Sequence, residues 1–181
     1  DAGVNWTVLD DPLLVDKNIS GVAIDGDLII ASAGGGSHIN DPEPDTGMFR
    51  STNGGQIWEN IELFTRDSDF PDDPINFEVF DLVADPTDSE RFYAGVADTG
   101  IFRTDDGGAT WTDASSGAAR ISQLFSMISE NGFDNNNIEM AVSANGRVYM
   151  TVITNGQPLF LAYSDSQGSS WTEWTFHKLV K

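Results

Sequence analysis

The sequence predicts an all-β protein built from repeated four-stranded antiparallel units, and three observations carry that expectation. Residues 46–58 (Thr-Gly-Met-Phe-Arg-Ser-Thr-Asn-Gly-Gly-Gln-Ile-Trp) return without a gap as residues 99–111 (Thr-Gly-Ile-Phe-Arg-Thr-Asp-Asp-Gly-Gly-Ala-Thr-Trp). A period of about 50 residues marks an architecture in which each unit buries its faces against its neighbours. Within each period, short apolar runs of strand length alternate with Asp, Asn and Gly turns. Asp outnumbers Glu 21 to 8, and Asp favours turns over helix interiors. Finally, 39% of the 181 residues are hydrophobic, with five Trp and eleven Phe. That is enough apolar surface for one domain with a core, despite a formal charge of −20.

The elements follow from the repeat. A weaker copy covers residues 161–171, and residues 1–6 fit the last six places, so Trp6, Trp58, Trp111 and Trp171 mark four copies spaced 52, 53 and 60 residues apart. The shared octapeptide is Ser/Thr-x-Asp-x-Gly-x-Ser/Thr-Trp. Thr104, Asp106, Gly108, Thr110 and Trp111 fill every defined place. Ser51, Asn53, Gly55 and Trp58 form the first full-length copy, with Ile57 at the second Ser/Thr place. Ser164, Gly168, Ser170 and Trp171 form the last, with Ser166 for Asp, while Asp1, Gly3 and Trp6 remain of the leading one. Such an octapeptide makes a hairpin corner: the Asp side chain accepts turn N–H groups, glycine supplies the left-handed conformation, and Trp opens the returning strand with its ring buried.

Strand-like runs fill the rest of each period. They cover residues 21–25 and 28–33 around Asp25-Gly26-Asp27, and 77–84 and 91–97 around residues 85–89. The third pair covers 138–143 and 147–153 around Ala144-Asn145-Gly146. Residues 100–103 lead into a corner, residues 5–9 read as an outer strand of a preceding unit, and residues 121–129 as the one helix. The units then span residues 1–9, 19–64, 77–114 and 121–179, each complete one with four strands.

Three octapeptides in register, each behind the same kind of strand, resemble the Asp box, or BNR repeat. It is found in sialidases, xyloglucanase-type endoglucanases, sortilin-like receptors and photosystem-assembly propellers. The resemblance implies a β-propeller segment of three blades plus one outer strand, part of a ring of six to eight blades. An unfinished blade leaves an open sheet edge. The expected partners are therefore the remaining blades, from the same precursor or from another chain. The family resemblance and the acidity imply a secreted or cell-surface protein.

Strand alternation places the octapeptides on one face of such a sheet stack and the longer connections on the other, where the resemblance implies that ligands bind. Two acidic stretches fall there, bringing His38, Asp41, Glu43 and Asp45 near Asp67, Asp69, Asp72 and Asp73. Clustered carboxylates repel unless a cation or basic ligand sits among them, so Ca²⁺ is the candidate ion, with residues 134–139 as a second oxygen-rich stretch. No cofactor is required by the sequence.

The leading expectation is a non-catalytic module that binds glycan or protein through the loop-rich face. The alternative is a piece of a glycoside hydrolase, xyloglucanase- or sialidase-like, whose site is completed by further blades. Asp41 or Asp45 facing Asp67 or Asp72 would supply its carboxylate pair. A sialidase needs three substrate-clamping arginines, but Arg50 and Arg103 share one repeat position beside the octapeptides, as structural residues would, and no Arg-Ile-Pro tripeptide is present. An assembly role through open blade edges is the third expectation. The charge opposes nucleic-acid binding. No apolar run approaches the ~18 residues of a membrane span, and the absence of cysteine removes disulfides and thiol chemistry.

Overall fold

The computed structural model describes residues 3–9, 11–34, 47–61, 63, 78–96, 99–115, 136–154 and 157–174. They contain strands and turns and no helix; the helix expected over residues 121–129 lies outside them. The first sheet holds β1 (Ile19–Asp25), β2 (Leu28–Ala33), β3 (Gly47–Ser51) and β4 (Glu59–Ile61). The second holds β5 (Val79–Ala84), β6 (Phe92–Val96), β7 (Gly100–Thr104) and β8 (Thr112–Asp113). The third holds β9 (Asn136–Val142), β10 (Val148–Thr154), β11 (Gln157–Ser164) and β12 (Thr172–Trp174). Each sheet is an antiparallel meander with strands in chain order.

The registers superpose as the repeat requires. Phe49 pairs with Ala31, Phe102 with Ala94, and Ala162 with Met150. The sheets stack with β1 beside β5 and β5 beside β9. Apolar residues at alternate positions fill the two spaces between them. Ala23, Ile30, Met48 and Ile61 meet Leu82, Phe92, Ala94 and Phe102 in the first space. Tyr93, Ile101 and Ala114 meet Ile138, Met140, Val148, Met150 and Ala162 in the second. Gly95 marks a close approach of β6 to β9, because a Cβ there would lie 2.9 Å from Ile138 Cγ2.

The octapeptide turns are three versions of one hydrogen-bonded device. The N–H groups of Gly55, Gly108 and Gly168 each donate to the hydroxyl of Ser51, Thr104 or Ser164 at 2.9 Å. The N–H of Ile57 donates to Asn53 Oδ1 at 3.0 Å, that of Thr110 to Asp106 Oδ1 at 2.8 Å, and that of Ser170 to Ser166 Oγ at 2.9 Å. Each indole N–H then closes on its glycine carbonyl, Trp58 on Gly55, Trp111 on Gly108 and Trp171 on Gly168. The three glycines stand at φ near +87°, where a side chain would be strained. The outer strands start one residue after each Trp.

Asp106 holds the most of these bonds. Burial pushes its carboxyl up, but the Thr110 hydroxyl and N–H, with the Thr104 hydroxyl, outweigh burial and hold it below the usual carboxylate range. A depressed folded-state pKa gives stability that is present above the unfolded value and lost as pH falls through the folded one. Asp106→Ala is therefore expected to lose about 1–2 kcal/mol near neutral pH. The gap from the parent should close in acid below about pH 4. Asp106→Asn should keep most of the stability, since Asn53 makes the equivalent bonds in the first turn. Urea midpoints measured from pH 7 to pH 2.5 check both expectations.

Arginines tie the first and second sheets to the octapeptide turn of the sheet that follows. Arg50 Nε donates to Gly107 O, and Arg103 Nη1 to Gln167 O, at 2.6 Å in both cases. Gln167 stands 60 residues after Gly107, the same offset as Trp171 from Trp111, so this is one contact repeated. Residues 3–9, expected to hold an outer strand of a preceding unit, form no strand themselves, and among the described residues no strand lies beside them to pair with. Trp6 is correspondingly 89% exposed, against 6% for Trp58.

Candidate functional site

The position of the turns defines the two faces of the stack. The Gly54 N–H donates to Asp27 O, and the Gly107 N–H to Glu90 O. The octapeptides thus share a face with the β1–β2 and β5–β6 turns. The opposite face carries the ends of β2 and β4 and the starts of β3 and β5. From those ends run the two acidic stretches.

His38, Asp41, Glu43 and Asp45, and Asp67, Asp69, Asp72 and Asp73, lie outside the described residues. Their points of departure are described, and they meet. The Gly34 N–H donates to Asn18 O at 3.1 Å. A Cβ on Gly34 would lie 2.8 Å from Glu78 Cγ and 3.4 Å from Val79 O. Ser20 Oγ donates to the same Val79 carbonyl at 2.9 Å and lies 3.1 Å from Ser32 Oγ. The residue entering the first stretch therefore touches the residue leaving the second. Glycine permits that approach, and the contact of Gly34 with Glu78 forms a rim at the first sheet boundary.

The inner strands add two carboxylates, Asp81 on β5, which sequence reasoning did not single out, and Glu139 on β9, the last residue of the oxygen-rich stretch 134–139. They share one repeat position, since Asp81 pairs with Gly95 and Glu139 with Thr151, one place beyond the Leu82–Ala94 and Met140–Met150 pairs. The signal was a carboxylate inside an otherwise apolar strand pattern. Asp81 accepts the Leu82 N–H at 2.8 Å and the Met140 N–H at 2.6 Å, so it also fastens the third sheet to the second. Its carboxyl is pushed up first by burial, and further by nearby Glu139, against the lowering effect of the two N–H donors. Glu139 accepts from Asn137 Nδ2 at 2.6 Å.

Among the described residues, no three His, Cys, Asp or Glu side chains gather around a point where one ion would fit. The octapeptide residues from Ser51 to Trp171 are engaged in the turns described above, on the face opposite the rim, and Asp1 lies outside the described residues. Among the described residues no helix is long and apolar enough to cross a membrane.

Solved structures place this arrangement. An ancestral GH74 enzyme matches over 88% of the chain with a TM-score of 0.58 and 20% identity. The GH74 xyloglucanase of Xanthomonas campestris matches over 86%, with a TM-score of 0.58 and 23% identity. The fold is a β-propeller segment. Its three sheets are blades, and the chain spans only 20% and 23% of the length of those two enzymes. By sequence, a xyloglucanase of a Paenibacillus species is 28% identical over 126 residues, taking in 62% of this chain and 12% of the relative. No family model matches.

Proposed function

We propose that this chain is a segment of an Asp-box propeller of glycoside hydrolase type, secreted and acting on a branched β-glucan such as xyloglucan. The observation that carries the proposal is the sequence match to a xyloglucanase. The propeller fold shared with GH74 enzymes agrees with it. The match favours hydrolysis over the binding-only role that the sequence put first.

Glycoside hydrolysis needs two carboxylates flanking the scissile bond, one of them protonated to donate to the leaving oxygen. In this proposal Asp41 or Asp45 faces Asp67 or Asp72 across the rim where Gly34 meets Glu78, or one member of the pair comes from a further blade. Calcium among the acidic stretches is a subsidiary proposal.

The test compares xyloglucan with unbranched β-glucan as ligands for the full chain, by calorimetry and by release of reducing ends. It is repeated on the chain joined to further blades. Preferential binding of xyloglucan, with hydrolysis in the joined form that is lost on converting Asp41, Asp45, Asp67 and Asp72 to Asn, supports the proposal. Equal indifference to both glucans overturns it, and binding without hydrolysis in the joined form returns the protein to the binding class.

A further inference from the structure

We propose that the second blade binds one internal water molecule as a structural ligand, bridging the Tyr93 hydroxyl on β6 and carboxylate oxygen Oδ2 of Asp85 at the end of β5. The inference is independent of what the propeller acts on.

Register puts the two groups on one face. The Asp85 N–H donates to the Arg91 carbonyl, one step beyond the Ala84–Phe92 pair. Residues two apart on a strand share a face, so Asp85, Arg91 and Tyr93 lie together on the side of the blade where Tyr93 packs with Ile138, Met140 and Val148 of the third. Arg103, opposite Tyr93 on β7, reaches across to Gln167 O at 2.6 Å. A Cβ on Gly146 would lie 3.1 Å from Thr87 Oγ1, so the β9–β10 turn closes against the β5–β6 turn above them.

Both groups are buried and both are left short of a bond. Tyr93 is 0% exposed and its hydroxyl has no hydrogen-bond partner. Asp85 Oδ1 accepts the Thr87 N–H and hydroxyl, whereas Oδ2, equally buried, accepts nothing. Arg91 Nη1 stands 3.5 Å from Oδ2, too far for a good hydrogen bond. Buried polar atoms are paired with protein or with ordered water, since an unpaired one forfeits the bonds it made in solvent. The two atoms also feel each other. Burial above all, and then the Asp85 charge, pushes ionisation of the Tyr93 hydroxyl up, while Arg91 and Arg103 pull it down.

Charge and hydrogen-bond type identify the occupant. A cation would stand against the Arg91 and Arg103 guanidiniums, and an anion against Asp85. A water accepts from the tyrosine hydroxyl and donates to the carboxylate, and Arg91 Nη1 completes about three partners, the usual number for a buried water. The arrangement is specific to this blade among the three. In the first, Ile30 pairs with Arg50 as Tyr93 pairs with Arg103, and Leu28 stands opposite Asp25 as Arg91 stands opposite Asp85. In the third, Ser143 takes the place of Asp85, and its hydroxyl is engaged with Asn145 Oδ1 at 2.6 Å and Arg147 O at 3.0 Å. An apolar side chain thus suffices at the Tyr93 position for the fold, and the phenol adds a donor aimed at a buried acceptor.

The test reads the Tyr93 hydroxyl proton by nuclear magnetic resonance in the full chain carrying isotope-labelled tyrosine, assigned by backbone connectivity. The expected result is a hydroxyl proton that exchanges many-fold more slowly than that of free tyrosine and shows a through-space cross-peak to a long-lived water. Water relaxation dispersion should count one long-lived molecule fewer in Tyr93→Phe than in the parent. Asp85→Asn puts an N–H donor where Oδ2 stands, so the water loses its acceptor and exchange of the Tyr93 hydroxyl should quicken several-fold. The parent spectrum decides even where a variant fails to fold. A slowly exchanging hydroxyl without a cross-peak to water means that Tyr93 bonds directly to Asp85, and overturns the proposal. Exchange as fast as in free tyrosine, or an unchanged water count in Tyr93→Phe, overturns it as well.

Discussion

Arg91→Met is expected to lower stability by about 3–5 kcal/mol, the range for removing one partner of a buried ion pair. The reason lies in Asp85, whose side chain is fully buried at the end of β5. One carboxylate oxygen of Asp85 accepts the Thr87 N–H and hydroxyl at 2.9 and 2.7 Å. The other has no hydrogen bond and faces Arg91 Nη1 at 3.5 Å. Arg91 also reaches Asp88 at 2.9 Å and Asp105 at 2.6 Å. Nearby, burial above all, with Asp85 adding to it, pushes the Tyr93 hydroxyl's ionisation up. Without the guanidinium, the Asp85 charge is left buried and uncompensated.

Two comparisons make the expectation specific. The double variant Asp85→Asn/Arg91→Met should recover a large part of the loss, because it removes the orphaned charge as well. Arg147 occupies the same repeat position in the third blade, but its partner Asp165 is exposed, and an exposed pair contributes about 1 kcal/mol or less. Arg147→Met should therefore be mild, even with the guanidinium 4.5 Å from the Tyr163 ring centre. Urea denaturation of the three variants at pH 7 checks all of this. Equal losses for Arg91→Met and Arg147→Met would show that burial of Asp85 is not the deciding factor.

The contrast between these two arginines shows how far sequence carries the structure. Local pattern was legible. The expected strand over residues 28–33 is β2 as observed, and Gly26 and Gly146 sit in the turns at positive φ. Strand beginnings were less so: β1 starts at Ile19 rather than residue 21 and β9 at Asn136 rather than residue 138, because ladder pairing, not hydrophobicity, sets those ends. The strand expected over residues 5–9 carries the right pattern, but a strand exists only in a pair. Arg50 and Arg103 were legible as structural from their shared position. Their acceptors were not, since these lie 57 and 64 residues away in a neighbouring blade. At the candidate site, the acidic stretches themselves lie outside the described residues, and only the strand ends that flank them are seen on one face. The contact of Gly34 with Glu78 and the bridging role of Asp81 depend on how two blades stack, which no local pattern encodes.

Blade stacking also sets the second large effect, expected for Gly168→Val. Gly168 has φ +88°, and a Cβ there would stand 2.7 Å from Ala114 Cβ and 3.2 Å from the Ala114 carbonyl oxygen. Backbone cannot swing aside as a flexible side chain can, so the third turn must lift off the second blade. The Trp171 indole N–H, shared between the Ala114 carbonyl at 2.8 Å and that of Gly168 at 3.1 Å, lifts with it. Strain at positive φ costs about 1–3 kcal/mol and overpacking a similar amount, so a loss of about 3–5 kcal/mol is expected. Gly26→Ala is the control, because Gly26 has φ +58° with nothing within 4 Å of the added Cβ, leaving only the conformational cost of about 1–2 kcal/mol. The damage should be local as well as large. Hydrogen exchange should speed up first in β11 and β12, which flank the displaced turn, while β1 to β4 keep their protection. Uniform acceleration across all three blades would instead mean that the stack opens as one cooperative unit, with the turn-to-blade contact as its common fastening.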